Sequence, residues 1–219
     1  MHLVKPIIYT LLYIVFIELI AAWLFIADYF EADFLYDFYL LINGLIMASA
    51  LIVFTFLAKN RKSKLPQSTS INWYVLSAVV GLLYVFVQTP LNWVYNLLSN
   101  EQYNIIYEFK GFGIFTDINI LSTIVLIPIA EELFFREFIQ KNLQKHTRAI
   151  VAIVLTSILF ASIHLPYENL ILGYPTFSFH HAYMALFGGL ILGVVYFKSK
   201  SIGPSIVMHM LWNLMVVIV

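Results

Sequence analysis

Long apolar runs dominate this chain of 219 residues and restrict the folds open to it. Hydrophobic residues make up 62% of the sequence and charged residues only 11%, which is more apolar surface than one soluble core can hide. A membrane-spanning helix needs about 20 mostly apolar residues. Suitable segments lie near 6–27, 38–58, 71–98, 117–140, 149–165, 181–197 and 202–219. The sequence therefore predicts an all-α, polytopic transmembrane helical bundle with about seven spans.

Charges in the connecting loops segregate by sign. Basic residues follow the second, fourth and sixth segments, whereas acidic residues dominate the loops between the others. Cytoplasmic loops of membrane proteins are rich in Lys and Arg, so we expect the amino terminus inside and the carboxy terminus outside. The first apolar run has no obvious small-residue cleavage site, and we interpret it as a retained span rather than a signal peptide.

Composition and missing motifs exclude several classes of function. Acidic and basic residues balance at 12 each, which argues against a nucleic-acid partner. The chain has no cysteine, so disulfides, thiolate metal sites and a cysteine nucleophile are excluded. An HExxH zinc motif is absent. Ser205 and Asp37 lack the partners that serine and aspartyl intramembrane proteases need, and the chain lacks the repeats typical of many transporters.

The fourth apolar segment contains the ionisable residues Glu131, Glu132 and Arg136. A charge at the bilayer centre costs roughly 2.5–3.5 kcal/mol, so intramembrane charges usually mark a functional site. Glu132 and Arg136 lie four residues apart on one helical face, where they can pair, whereas Glu131 points about 100° away. The different directions of these side chains suggest that Glu131 is a general base and that the Glu132–Arg136 pair supports it. The alternative is a structural charge cluster that locks helices together.

Two later segments carry further polar groups. Phe160 precedes His164 by one helical turn, and His209 and Asn213 lie side by side at i, i+4 spacing on the last segment. Taken singly, a histidine at a helix end or an interhelical hydrogen bond explains each of them. Polar groups on three separate helices of one small bundle are harder to explain by packing alone.

These residues follow the order of the motifs EExxxR, FxxxH and HxxxN, and the chain thereby resembles the CPBP family of intramembrane proteases. This family includes the type II CAAX prenyl endopeptidases and the bacteriocin-processing and immunity proteins of the Abi group. The resemblance covers residues 117–219, which we interpret as a CPBP-like catalytic helical core. Residues 1–116 carry no motif and are interpreted as variable amino-terminal transmembrane helices. Glu137 departs from the small residue that family members often place after the arginine.

The resemblance implies an intramembrane endopeptidase that hydrolyses a peptide bond of a membrane-associated peptide or protein. It implies Glu131 as the base that activates water with the aid of His164, and His209 and Asn213 as hydrogen-bond donors to the oxyanion. Glu132, Arg136 and Phe160 would support them. We expect no cofactor, with zinc bound by Glu131, His164 and His209 as the alternative.

A non-catalytic role is the alternative to an enzyme. The motifs would then survive as the structural core of a bacteriocin immunity factor or a regulator of a membrane sensor kinase. In either case the expected partners are the lipid bilayer and a membrane-associated protein, and the expected location is a bacterial plasma membrane.

Several further residues have environments that the sequence predicts. His2, His146, His180 and His181 are expected at solvated or interfacial positions. Gly189 and Gly193 form a small-xxx-small face suited to helix packing. Glu18, in the middle of the first span, needs a polar partner.

Overall fold

The computed structural model describes residues 4–21, 69–99, 101–117, 119–167, 169 and 177–219, together with positions 38, 41–42, 44–46 and 48–49. Throughout these ranges the regular secondary structure is helical, which confirms the predicted all-α class. Most of the predicted second span, and the basic loop that follows it, lie outside the described residues.

The helices of the described ranges coincide with the remaining apolar segments. They are α1 (Val4–Ala21), α2 (Ile71–Leu98), α3 (119–144), α4 (Ala149–Ser162), α5 (His180–Ser199) and α6 (Ile202–Ile218). By length and composition, α2 and α5 are able to cross a membrane, and α4 and α6 are shorter apolar helices. The count of seven spans stays a prediction.

Helix α3 changes its hydrogen-bonding pattern along its length. It begins with Asn119–Leu121, becomes π-helical over Ser122–Leu126, returns to α over Ile127–Glu132, is π-helical again over Leu133–Gln140, and ends as Lys141–Gln144. Pro128 lacks the N–H that an α-helix would bond four residues back, where the first π segment lies. Such π segments often occur at functional sites.

A tight turn makes α5 and α6 antiparallel neighbours. Lys200 adopts the left-handed conformation that commonly ends a helix, with φ 57°. Ser201 follows, and α6 begins with Pro204 in its first turn, where a missing N–H costs no helical bond. The Ser199 hydroxyl donates to the carbonyl of Ser201 at 2.9 Å and closes the turn.

Small residues allow close contact between helices on both sides of α5 and α6. A Cβ on Gly81 of α2 would lie 2.5 Å from the carbonyl oxygen of Met208, so α2 packs directly on the backbone of α6. A Cβ on Gly189 would lie 3.1 Å from the Phe160 ring, and one on Gly193 would lie 3.0 Å from Ile153. The predicted packing role of the Gly189 and Gly193 face is confirmed. Gly189 packs on α4, and Gly193 packs on both α4 and α3.

Two apolar clusters hold the described helices together. The first surrounds Phe134, Phe135 and Phe160 and includes Tyr13 of α1. The second contains Tyr84, Leu192, Val195, Met208 and Trp212 and joins α2, α5 and α6. The charged residues of α3 link it to two other helices, because Glu132 contacts His209 of α6 and Arg136 lies over the Phe160 ring of α4.

Candidate active site

A buried charge network links α3 to α6. Glu131 is 4% exposed, and Glu132 and Arg136 are fully buried. Arg136 Nε donates to Glu132 Oε2 at 3.2 Å, so the ion pair predicted from the i, i+4 spacing is present. Charges buried to this degree persist only when they are paired and hydrogen-bonded.

His209 lies between the two carboxylates. Its Nδ1 is 3.2 Å from Glu132 Oε1, and its Nε2 is 3.8 Å from Glu131 Oε2. Because Glu132 accepts hydrogen bonds when ionised, it favours a proton on Nδ1 of His209. The other ring nitrogen is then aimed at Glu131, and Glu132 fixes the orientation of the imidazole, as a carboxylate does beside many functional histidines.

Phe160 lies at the centre of the site. Its ring centroid is 4.8 Å from that of His164 and 5.7 Å from that of His209, and the Arg136 guanidinium carbon is 5.4 Å from it. The ring is fully buried. Gly189 leaves room for it, as described above. The aromatic residue of the FxxxH motif therefore brings the three motif-bearing helices into contact.

His164 is held by its own helix. Its Nδ1 is 2.9 Å from the carbonyl oxygen of Phe160. A carbonyl only accepts, so Nδ1 carries the proton and Nε2 of the neutral ring presents a lone pair. The rings of His164 and His209 both contact the Phe160 ring, but among the described residues no hydrogen bond joins His164 to Glu131.

Asn213 binds the backbone of α3. In the first π segment the N–H of Ile127 bonds to the carbonyl of Ser122, and Pro128 has no N–H to offer. The carbonyl of Thr123 is thereby left without a helical donor, and Asn213 Nδ2 donates to it at 2.8 Å. Asn213 thus supplies the hydrogen bond that the Thr123 carbonyl lacks within the helix that carries Glu131. The Asn213 amide retains a second N–H.

The comparisons with known proteins agree with this geometry. The family model described as Type II CAAX prenyl endopeptidase Rce1-like matches residues 114–215. This part of the chain is therefore similar to an Rce1-like domain. The match includes all three motifs, so the resemblance to CPBP and CAAX-type proteases is confirmed. No curated protein and no solved structure matches the chain. Members of the Rce1-like family are membrane proteins, in keeping with the apolar helices α2 and α5.

Trp212 stacks on His209 within the Rce1-like domain. The sequence alone did not indicate this contact. The two rings stack with centroids 5.4 Å apart and an interplanar angle of 27°. Tyr84 of α2 meets the indole edge-on at 4.7 Å. A Cβ on Gly188 would lie 2.5 Å from the indole ring, so only glycine fits there without displacing Trp212. The sequence signal was present, since this tryptophan lies inside the HxxxN motif.

Glu137, the departure from the family pattern, faces away from the charge network. Its carboxylate accepts from the Tyr196 hydroxyl at 2.9 Å and pairs with Lys141 one turn later. Gln140, which no sequence motif marks, is fully buried and donates from Nε2 to the carbonyl of Gly193 at 2.9 Å. Both residues follow Arg136 on α3, and both join α3 to α5.

The expectation for His180 was wrong. His180 is 9% exposed, its Nε2 lies 2.7 Å from Asn92 Oδ1, and its ring stacks on Tyr103 at 4.0 Å. The loop after α2 folds back over the start of α5 and buries it, which the position at a helix end did not indicate. His181 and His146 are exposed as expected, and His2 lies outside the described residues.

The zinc alternative requires Glu131, His164 and His209 to converge on one point. Over the described ranges, no group of three or more His, Asp or Glu side chains is arranged to hold a metal ion. The residues named for zinc therefore do not form a ligand set in this conformation, and the steps proposed below use only the side chains of the chain itself.

Proposed function

We propose that the protein is a membrane-embedded endopeptidase in which Glu131 activates a water molecule for hydrolysis of a peptide bond. Its Rce1-like domain implies CAAX-type intramembrane protease activity. The observation that carries the specific proposal is the placement of His209 between two buried carboxylates, of which only Glu132 is committed to Arg136. Glu131 makes no such ion pair with Arg136 and is available to take a proton.

The reaction proceeds through a tetrahedral intermediate. Glu131 accepts a proton as water attacks the carbonyl carbon, and it later returns that proton to the leaving amine. A base in position contributes about 10²–10⁴-fold to the rate. The surrounding apolar residues exclude bulk water, which strengthens each electrostatic interaction in the site.

The donors on α6 stabilise the oxyanion that forms. Asn213 retains one N–H beyond its bond to Thr123. His209, oriented by Glu132 at 3.2 Å from Nδ1, donates from Nε2 to the oxyanion when both ring nitrogens carry a proton. One donor of this kind is worth about 10²–10³-fold in kcat. His164, with its Nε2 lone pair unprotonated, assists Glu131 by accepting a hydrogen bond from the attacking water.

The substrate is proposed to be a membrane-associated peptide or protein. The protein would act without a metal as a multi-pass protein of a bacterial plasma membrane, with its amino terminus inside. The charge bias of the loops supports this orientation. Metal dependence is tested by treating the reconstituted protein with a chelator. Undiminished cleavage is expected, and loss of cleavage restored by zinc would contradict the metal-free proposal.

The decisive experiment uses the full chain in proteoliposomes. Two probes are offered, a farnesylated peptide ending in a CAAX sequence and an unprenylated peptide with a membrane anchor. Replacing Glu131 by Gln keeps the size of the side chain and removes the base, and we expect cleavage to fall at least about 100-fold. Glu137→Gln is the matched control, because Glu137 lies on the same helix and binds Tyr196 and Lys141 instead. Undiminished cleavage by a folded Glu131→Gln protein would overturn the proposal.

A non-catalytic role is favoured by one specific observation. His209 and Asn213 already have protein partners in Glu132 and the carbonyl of Thr123, so the motif residues also serve to hold α3 and α6 together. An immunity factor or sensor-kinase regulator would retain its biological activity in the Glu131→Gln protein. An endopeptidase would lose it, which separates the two proposals.

A further inference from the structure

The amino-terminal helix α1 brings one polar atom close to the charge network, the hydroxyl of Tyr13. Tyr13 is 5% exposed, and its hydroxyl oxygen is buried without a hydrogen-bond partner among the described residues. A buried hydroxyl with no partner is unfavourable, so such an atom in a folded protein calls for an explanation.

The register of α1 against α3 places Tyr13 against the segment of α3 that carries Glu131. The ring of Tyr9 packs on Phe138 with centroids 5.4 Å apart, and the ring of Tyr13 packs on Phe134 at 5.6 Å. The two helices therefore run antiparallel, and each turn of α1 meets an earlier turn of α3. Tyr13 also packs in one cluster with Ala130 and Phe134, the residues of α3 that lie on either side of Glu131, so its buried hydroxyl lies in the same part of the bundle as the Glu131 carboxylate.

The same helix also reaches the segment that follows His164. Glu18 of α1 interacts electrostatically with Tyr167. Ile17 packs against the cluster that contains Ala130 and Phe160. Helix α1 thus lies along both the segment of Glu131 and the segment of His164, although no motif marks it.

We infer that Tyr13 is a positioning residue for Glu131, whose carboxylate it holds through a hydrogen bond from the phenol O–H relayed by one water molecule. The inference rests on the proposed function, in which Glu131 is the base. A relay by water suits two polar groups that interact without direct hydrogen-bond contact. A phenol remains protonated at neutral pH, so it donates to the carboxylate and orients it without competing for the proton of the attacking water.

Tyr13→Phe tests this role, because it keeps the ring packed on Phe134 and removes only the hydroxyl. With the farnesylated CAAX peptide and the anchored peptide as probes, we expect kcat to fall about tenfold, the effect of one hydrogen bond, with KM unchanged. Tyr9→Phe is the matched control on the same face of α1, and we expect it to leave both constants at the wild-type level.

The outcomes separate this inference from the proposed function. Wild-type cleavage by the Glu131→Gln protein would overturn the proposed function and this role together. Loss of cleavage in Glu131→Gln with wild-type kcat in Tyr13→Phe would overturn only the role of Tyr13. A fall in kcat shared equally by Tyr9→Phe would mean that the loss of either hydroxyl on this face of α1 has the same effect, which also contradicts the inference.

An infrared difference spectrum gives a second readout that needs no turnover. Subtracting the wild-type spectrum from that of Tyr13→Phe is expected to show a shifted carboxyl band, because the carboxylate loses a hydrogen-bond donor. The band should vanish when the same subtraction is made in a Glu131→Gln background. A spectrum without the shift, or one in which the shift persists without Glu131, would overturn the inference.

Discussion

His209 and His180 are both buried histidines on neighbouring helices, yet their surroundings differ in kind. His209 lies between the carboxylates of Glu131 and Glu132 in the charge network. His180 lies in a loop cluster, which we define as Asn92, Tyr95, Glu101, Tyr103, Ser178 and His180, and its ring contacts an amide and an aromatic face.

The placement of charge distinguishes the two regions. In the loop cluster the carboxylate of Glu101 is partly exposed and accepts from the hydroxyls of Tyr95 at 2.8 Å and Ser178 at 2.9 Å. In the charge network two carboxylates and a guanidinium are withdrawn from water. Burial of charge is expensive, so the buried charges of the charge network indicate a functional site. The one carboxylate of the loop cluster stays in contact with water, so hydrogen bonding that closes this end of the bundle explains the loop cluster.

The largest expected effect comes from breaking the buried pair in the charge network. Arg136→Met leaves Glu132 uncompensated, and we expect the free energy of unfolding to fall by about 3–5 kcal/mol. Lys141→Met, which removes the partner of Glu137 on the more exposed side of α3, is the control and should cost at most about 1 kcal/mol. Denaturant unfolding in detergent measures both. Equal losses would contradict the claim that burial separates the two pairs.

Next in size is the effect of the two histidines on activity. His209→Gln removes the imidazole oriented by Glu132, and we expect kcat on the peptide probes to fall about 100-fold. His180→Gln should leave kcat unchanged, because its partners Asn92 and Tyr103 lie outside the charge network. A comparable loss of kcat in both proteins would remove the functional distinction between the regions.

A smaller effect is expected where the charge network depends on packing. The Cβ of Gly188→Ala would lie 2.5 Å from the Trp212 ring, which must move and loosen its stack on His209. Overpacking of this kind costs about 1–3 kcal/mol. Gly113→Ala is the control, since nothing lies within 4 Å of its added Cβ. Thermal unfolding compares the two proteins. Equal unfolding midpoints would show that Trp212 moves aside with no loss of stability.

The smallest effect is a pH dependence in the loop cluster. Hydrogen bonds from Tyr95 and Ser178 hold the pKa of Glu101 below its usual value. A lowered folded-state pKa stabilises the protein above the unfolded-state value, and this contribution is lost as the pH falls through the folded-state pKa. We therefore expect the melting temperature of the wild type to exceed that of Glu101→Gln at neutral pH and to converge with it in acid. A difference independent of pH would contradict a role for the ionised carboxylate.

The sequence predicted those features that depend on spacing within one helix. The lengths of the apolar segments predicted where the helices lie, and the i, i+4 rule predicted the contact between Glu132 and Arg136. The Gly189 and Gly193 face was predicted in the same way. The boundary between residues 116 and 117 and the catalytic roles of Glu131, His164, His209 and Asn213 stay predictions.

Several features that depend on contacts between helices were not predicted. The burial of His180 depends on where the loop after α2 returns, and the position of Tyr13 depends on the register of α1 against α3. The role of Asn213 as a donor to Thr123 follows from a π segment, which spacing rules based on a uniform α-helix do not anticipate. Pro128 was the available signal, because it removes one donor from α3.

The central claim, that Glu131 activates water within the Rce1-like domain, is tested most directly by a single turnover in water enriched in ¹⁸O. Mass spectrometry of the cleaved peptide probe reads the isotope in its new carboxylate. The account predicts that wild-type protein incorporates one ¹⁸O atom from water and that Glu131→Gln yields no product on the same timescale, while Glu137→Gln behaves as wild type. Product formed at the wild-type rate by Glu131→Gln, or product carrying unlabelled oxygen from the enzyme, would contradict it.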